Sequence, residues 1–342
     1  MLSENKNNQT GNENVILSNR QDTIEKPPLV ILTGPTGVGK TELSIQFAKK
    51  INGEIISADS IQVYQYMDIG SAKVTKEEMD GVKHYLVDII QPDEEFNIFC
   101  FSNLAKQAIS EIYSHGKIPI IVGGTGFYIQ SVLYDIDFNT EDNDKSIRQK
   151  YEKLALENGT SYLYELLKKT DPESAEVIHE NNTKRIIRAL EYYENTGELM
   201  SVHNKRERKK SSPYNYQYFV LNRDRKVLYE RIDKRVDMMV NNGLVDEVNK
   251  LLNMGYSRNL VSMQGLGYKE IAAYLDGEYA LDEAVEIIKR DTRHFAKRQL
   301  TWFRREKDVT FMNYEDYSND INKMCEALIN ICENRNVKCM TF

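Results

Sequence analysis

The chain has 342 residues, a hydrophobic fraction of 41% and a formal net charge of −7. That length suits two domains, or one domain with a large insertion, and no apolar run reaches the roughly 18 residues of a membrane-spanning helix. The acidic total does not exclude nucleic acid, because a phosphate backbone responds to local charge and not to the sum.

Met1 to Lys26 is polar, lacks the apolar stretch of a secretory signal, and reads as a disordered tail. Leu29–Thr33 is a short apolar run ending in glycine and reads as a buried strand. Lys40–Lys50 has helical spacing, with Leu43, Phe47 and Ile51 on one face. Glu54–Ser57 and Tyr85–Ile90 are further strand candidates, Ile98–Ser114 a helix, and Ile118–Val122 a strand stopped by Gly123-Gly124. Strands alternating with helices imply a parallel sheet with right-handed crossovers.

After Asp137 the pattern changes. Asn139 to Lys210 has no good strand, and helices are expected near Ser146–Leu156, Ser161–Lys168, Pro172–Ile178 and Thr183–Asn195. Tyr216–Leu221 reads as a strand again, so the chain is expected to return to the sheet. Helices are then expected over Arg225–Met239, Leu244–Met254, Lys269–Leu275 and Leu281–Glu306. The fold class is therefore α/β: a P-loop-type parallel sheet core, a helical insertion and a helical C-terminal region. The expected segments are a tail (1–26), a first core part (27–137), the insertion (138–212) and the return to the core (213–342). Cys100, Cys325, Cys332 and Cys339 form no C-x-x-C pair and have no companion His cluster. They read as reduced thiols of a cytoplasmic protein, not as zinc ligands or a disulfide framework.

Gly34-Pro35-Thr36-Gly37-Val38-Gly39-Lys40-Thr41 fits G-x-x-x-x-G-K-[ST] and stands between a predicted strand and a predicted helix. Glycines let backbone amides converge on phosphate oxygens, and the helix start adds positive potential. Lys40 adds a mobile charge, and the Thr41 hydroxyl suits Mg²⁺. The motif marks a diphosphate site without naming a reaction, since kinases, NTPases and diphosphate-leaving transferases all use one. No carboxylate follows Ile120-Ile121-Val122, which weakens a motor or switch NTPase. Asp59 follows the second strand, at the sheet edge where ligands bind. It is either a base for an incoming nucleophile or a cap for the next helix.

Eight blocks in order, spanning about Leu29 to Arg305, resemble the tRNA dimethylallyltransferase (isopentenyl-tRNA transferase) family. They are Gly34–Thr41, Asp59–Tyr64, Met67–Lys73, His84–Asp88, Val122–Tyr128, Asn182–Glu191, Gly265–Glu270 and Lys297–Arg304. Ile61 stands where the family usually has Met, and Ser71 where it usually has Thr. Nothing resembles the C-terminal zinc finger of eukaryotic members, so the chain is similar to the shorter bacterial type. The resemblance implies that the loop holds dimethylallyl diphosphate, with Mg²⁺ as cofactor at Thr41. It makes Asp59 the base that takes a proton from adenosine N6, places Thr36 near the reacting centre, and matches Arg225 to a diphosphate-contacting arginine. Lys40 and the loop amides would stabilise the leaving diphosphate, an effect often worth ~3 kcal/mol per donor.

The same resemblance implies contacts to the tRNA anticodon arm. They are assigned to Asp59, Ser60, Ile61 and Gln62; to Thr125 and Arg148; to Lys184, Arg185, Ile186, Ile187 and Arg188; to Gln264, Gly265, Gly267 and Tyr268; and to Lys297, Arg298 and Arg304. A target adenine must leave its stack to reach such a site, and loop bases are read by stacking and phosphate contacts. The basic run Lys205–Lys210 matches no block and reads as a solvated or phosphate-steering segment. Nothing in the sequence requires more than a monomer. Two rival readings are a small-molecule kinase, with the insertion as an ATP lid, and an RNA-binding scaffold with a vestigial loop. Intact Lys40, Thr41 and Asp59 argue against the scaffold.

Overall fold

The computed structural model describes residues 26–137 and 145–337. The expected tail up to residue 25, the start of the expected insertion at 138–144, and Cys339 lie outside the described residues.

A six-stranded, all-parallel sheet forms the centre, with β1 Pro28–Thr33, β2 Gly53–Ala58, β3 His84–Tyr85, β4 Ile118–Gly123, β5 Asn215–Asn222 and β6 Val309–Asn313, in the order β3-β2-β4-β1-β5-β6. Leu29, Val30, Ile31 and Leu32 of β1 are wholly buried, as expected of a central strand covered on both faces. The helices α1 Lys40–Lys50, α2 Lys76–Met79, α3 Ile98–Ser114 and α4 Gly126–Leu133 belong to the first half. One layer packs α1 against Val30, Leu32 and Phe219; the other packs α3 and α4 against Leu29, Ile31 and Ile121.

The chain leaves the sheet after α4 and re-enters at β5, beside β1. Between them lie α5 Lys145–Asn158, α6 Thr160–Thr170, α7 Pro172–Val177, α8 Thr183–Thr196 and α9 Met200–Glu207. These helices share a core of Tyr151, Leu163, Leu167, Ile186 and Leu190. After β5 come α10 Arg225–Asn241, α11 Leu244–Asn253, the 3₁₀ turn η1 Ser262–Gln264, α12 Tyr268–Leu275 and α13 Leu281–Phe303. Beyond β6 lie the 3₁₀ turn η2 Tyr314–Tyr317 and α14 Ile321–Asn334, which packs on α1.

Most expected elements stand within a few residues of their predicted ends. The strand expected over Tyr85–Ile90 does not: pairing stops after Tyr85, because Leu86 and Asp88 adopt left-handed backbone, φ 62° and 61°, which no strand accommodates. Five helices and strands escaped the sequence reading, α2, α4, α9, β6 and α14, as did the turns η1 and η2. The basic run begins on α9 and continues past its end at Glu207, and three of its cations pair nearby: Lys205 with Glu173, Arg206 with Glu198, and Lys210 with Glu207.

Ile186 is fully buried at the centre of the α5–α9 cluster. Ile186→Ala is expected to cost about 2–4 kcal/mol of stability, read as a lower urea midpoint. Its tRNA affinity should fall only with the unfolded fraction.

Candidate active site

The P-loop connects β1 to α1 at the carboxyl edge of the sheet, where a parallel sheet opens its ligand crevice. Gly39, with φ 105°, sits at the N-cap of α1, in a backbone region that favours glycine. Lys40 is folded back over the loop, its Nζ donating to the Gly34 carbonyl at 2.9 Å and the Pro35 carbonyl at 3.0 Å. Burial, with the Arg235 guanidinium beside it, pulls Lys40 down to about 8, and Asp59 opposes that shift. Thr41 lies exposed at the start of α1.

Neighbouring elements hold the loop from several sides. The Thr36 amide donates to Gln299 Oε1 of α13 at 2.9 Å, and Gln299 Nε2 donates onward to the Gly124 carbonyl at 3.0 Å. A Cβ on Gly124 would lie 2.1 Å from Gln299 Nε2, so a side chain there would push that amide off the Gly124 carbonyl. From α10, Arg231 Nε donates to the Gly37 carbonyl at 2.9 Å, and Arg235 reaches the Thr36 hydroxyl at 3.5 Å. Arg223 Nε donates to the Val38 carbonyl at 2.9 Å, and the Tyr314 hydroxyl to the Gly39 carbonyl at 3.0 Å.

Asp59 stands at the end of β2, close enough to Lys40 and Arg235 to act on the charge of both. Its Oδ1 accepts the Ile61 amide at 2.9 Å and the Gln62 amide at 3.4 Å. The cap expectation is thus half realised: Asp59 closes a turn, and no helix follows. One carboxylate oxygen is committed to that turn, which orients the group. The site therefore gathers Lys40, Arg235 and Asp59 around a loop whose backbone is pinned from outside.

Several expected contacts land elsewhere. Arg225 is exposed at the start of α10 with its guanidinium over the Tyr229 ring, and the loop-facing arginines are Arg223, Arg231 and Arg235. Arg231 and Arg235 lie four apart on the predicted helix, and that shared face was the missed signal. Ile186 and Ile187 are buried between helices, so their side chains present nothing to a polynucleotide. Tyr268 is likewise fully buried, its hydroxyl donating to Glu247 at 2.7 Å. Gly267 is buried, with its amide held by Glu270 at 2.8 Å. Gln62 spends its carboxamide inside the fold, accepting from Ser57 at 3.2 Å and donating to the Ala72 carbonyl at 3.2 Å. Gly265 lies against Ile61, so those two sequence blocks meet, and Gln264 is exposed beside them.

Ser60 and Thr125 are half-buried near Asp59, and the Thr125 amide donates to the Ala58 carbonyl at 3.2 Å. Lys184 and Arg185 are exposed on α8, whereas Arg148 and Arg188 both pair with the buried Glu191, at 2.8 and 3.5 Å. Lys297, Arg298 and Arg304 are exposed on or just after α13, the same helix whose buried face carries Gln299.

An anion in the loop would favour charged Lys40, so binding should draw in a proton. Inorganic diphosphate affinity is accordingly expected to fall as pH rises above about 8. Isothermal titration calorimetry in buffers of differing ionisation enthalpy checks it. A pH-independent affinity would mean that Lys40 does not meet the anion.

The IPP transferase family model matches residues 62–306. A tRNA dimethylallyltransferase of Lachnoclostridium phytofermentans is 61% identical over 311 residues, covering 91% of this chain and 99% of that protein. One from Clostridioides difficile is 52% identical over 296 residues, covering 86% and 94%. Among solved structures, the tRNA isopentenylpyrophosphate transferase of Bacillus halodurans matches with a TM-score of 0.67 at 43% identity, covering 91% of this chain and 98% of that one. A eukaryotic dimethylallyltransferase acting on tRNA matches with a TM-score of 0.79 at 29% identity, covering 92% and 81%. These relatives lend the kinase reading no support. With a family model spanning most of its length and such identities over nearly all of it, the chain belongs to the IPP transferase family.

Proposed function

We propose that this chain transfers the dimethylallyl group of dimethylallyl diphosphate to N6 of the tRNA adenosine just 3′ of the anticodon, releasing diphosphate. The observation that carries the reading is Asp59 at the end of β2, close enough to Lys40 and Arg235 to act on the charge of both, in a chain whose relatives are named for that transfer. The loop then binds a leaving diphosphate and no nucleotide.

In the reaction the N6 lone pair forms a bond to the allylic carbon as the bond from that carbon to the diphosphate oxygen breaks. The carbon supports positive charge, so departure of the leaving group dominates the barrier. Lys40, Arg235 and the loop amides oppose the charge that grows on it, a contribution of order ~3 kcal/mol per preorganised donor. The N6 proton passes to Asp59. The exocyclic amine is a poor nucleophile, because its lone pair is spread into the ring, and a positioned base is worth about 10²–10⁴-fold.

The site fits Mg²⁺. Among the described residues no group of three His, Cys, Asp or Glu could cage a metal ion, and the exposed Thr41 hydroxyl leaves room for the diphosphate oxygens and waters that Mg²⁺ prefers. Thr41 would hold the ion, which would neutralise charge on the diphosphate.

The anticodon arm would meet the cationic faces of α8 and α13, through Lys184, Arg185, Lys297, Arg298 and Arg304. Arg148 and Arg188, tied to Glu191, would present a shaped positive edge. Ser60, Thr125, Gln264 and Gly265 are the proposed contacts nearest the target base. No helix among the described residues is long and apolar enough to cross a membrane, and we place the enzyme in the cytoplasm as a monomer.

Labelled dimethylallyl diphosphate, unmodified tRNA and Mg²⁺, without ATP, should yield labelled tRNA. Asp59→Ala should bind tRNA nearly as well while losing about 10²–10⁴-fold in turnover. An equal loss of binding would make Asp59 structural, and phosphate transfer from ATP would revive the kinase. Because phosphate contacts release counterions, tRNA affinity should fall steeply with salt, and a flat response would remove the cationic faces from the interface.

A further inference from the structure

The carbonyls of Gly37, Val38 and Gly39, consecutive in the P-loop, each accept a side-chain donor from outside the loop: Arg231, Arg223 and Tyr314. The last two form one unit. The Arg223 guanidinium lies 3.5 Å from the centroid of the Tyr314 ring, and its NH1 donates to Asn319 Oδ1 at 2.9 Å. The Asn319 amide donates back to the Tyr314 carbonyl at 2.8 Å. Glu315, next in the same turn, accepts the Asp224 amide at 2.9 Å. Tyr314 is 2% exposed, sealed behind the loop and away from solvent.

In a trans peptide the carbonyl and the following amide point in opposite directions. Holding a carbonyl outward therefore turns the next amide inward. The braces on Val38 and Gly39 thereby turn the amides of Gly39 and Lys40 toward the cradle. Gly37 and Gly39 have φ of 79° and 105°, and glycine peptides flip readily. An unbraced loop would lose that orientation. The Val38 amide already has a long turn bond to Pro35, 3.4 Å. The amides of Gly39 and Lys40 are thus the ones the Tyr314–Arg223 unit presents.

We propose that Tyr314, seated by Arg223, is a positioning residue for the donor diphosphate: its hydroxyl holds the peptide whose amide meets the leaving group. This rests on the transfer reaction above and adds to it a group that acts without touching substrate.

Tyr314→Phe in the full chain keeps the ring on Arg223 and removes only the hydroxyl. Inorganic diphosphate with Mg²⁺ should bind about fivefold more weakly, the factor one neutral hydrogen bond carries. kcat/KM for dimethylallyl diphosphate should fall at least as much. The tRNA dissociation constant should stay at its wild-type value, and the thermal midpoint should fall by no more than the loss of one buried hydrogen bond accounts for. Tyr314→Leu, which also unseats Arg223, should lose more. Wild-type diphosphate affinity and donor kcat/KM in Tyr314→Phe would overturn the proposal. So would a parallel loss of tRNA affinity and thermal midpoint, which would mark a merely structural side chain. Weakened diphosphate binding by Tyr314→Phe, in a chain that transfers nothing to tRNA, would uphold the brace and overturn the transfer reading. Failure of the wild-type chain to bind diphosphate would overturn both.

Discussion

The site depends on one constraint: a glycine-rich loop must hold a single shape before its ligand arrives. Left-handed glycines make the anion cradle possible and also make it floppy. The chain meets this by recruiting donors and acceptors from three distant stretches. Gln299 of α13 takes the Thr36 amide, α10 supplies Arg231 and Arg235, and the turn after β6 supplies Tyr314. The sheet makes the convergence possible, because β5 pairs with β1 and β6 with β5, bringing residues 194 and 275 positions apart to the same edge. Catalysis by preorganised dipoles requires this, since a donor that must reorganise during the reaction contributes little.

Lys40 and Arg235 lie half-buried together, and Asp59 is the carboxylate that offsets them. Burial of like charges is costly, and the fall of Lys40 to about 8 records part of that cost. An incoming diphosphate relieves it by supplying the missing negative charge. A chain of net charge −7 can thus present a locally positive crevice, since field follows placement and not total.

The two halves of the proposed reaction meet on α13. Its outer face carries Lys297 and Arg298, and its buried face carries Gln299, bonded to both the P-loop and Gly124. Helical geometry explains the division, since adjacent residues point about 100° apart around the axis. In the α5–α9 cluster, α8 divides in the same way: Lys184 and Arg185 outward, Ile186 and Ile187 into the core.

Local chemistry alone determined a good deal of this protein. Apolar runs against helical spacing marked β1, β2, β4, β5 and most helices, because period and burial are properties of short windows. The P-loop and Asp59 were legible because glycine pattern, strand end and helix start all fall within a few residues. A block resemblance is blind to burial: it carried Ile186, Ile187 and Tyr268 into the contact set, and packing hid their side chains. Strand β6 has one buried residue and is specified by its pairing with β5, which no local window contains. The resemblance singled out Arg225; Arg235 lies on the same predicted helix, and only the crossing of α10 over the loop decided that Arg235 reaches Thr36 while Arg225 faces solvent. Gln299 and Tyr314 meet the loop across 263 and 275 residues, and contacts at such separation exist only once the sheet has ordered its strands.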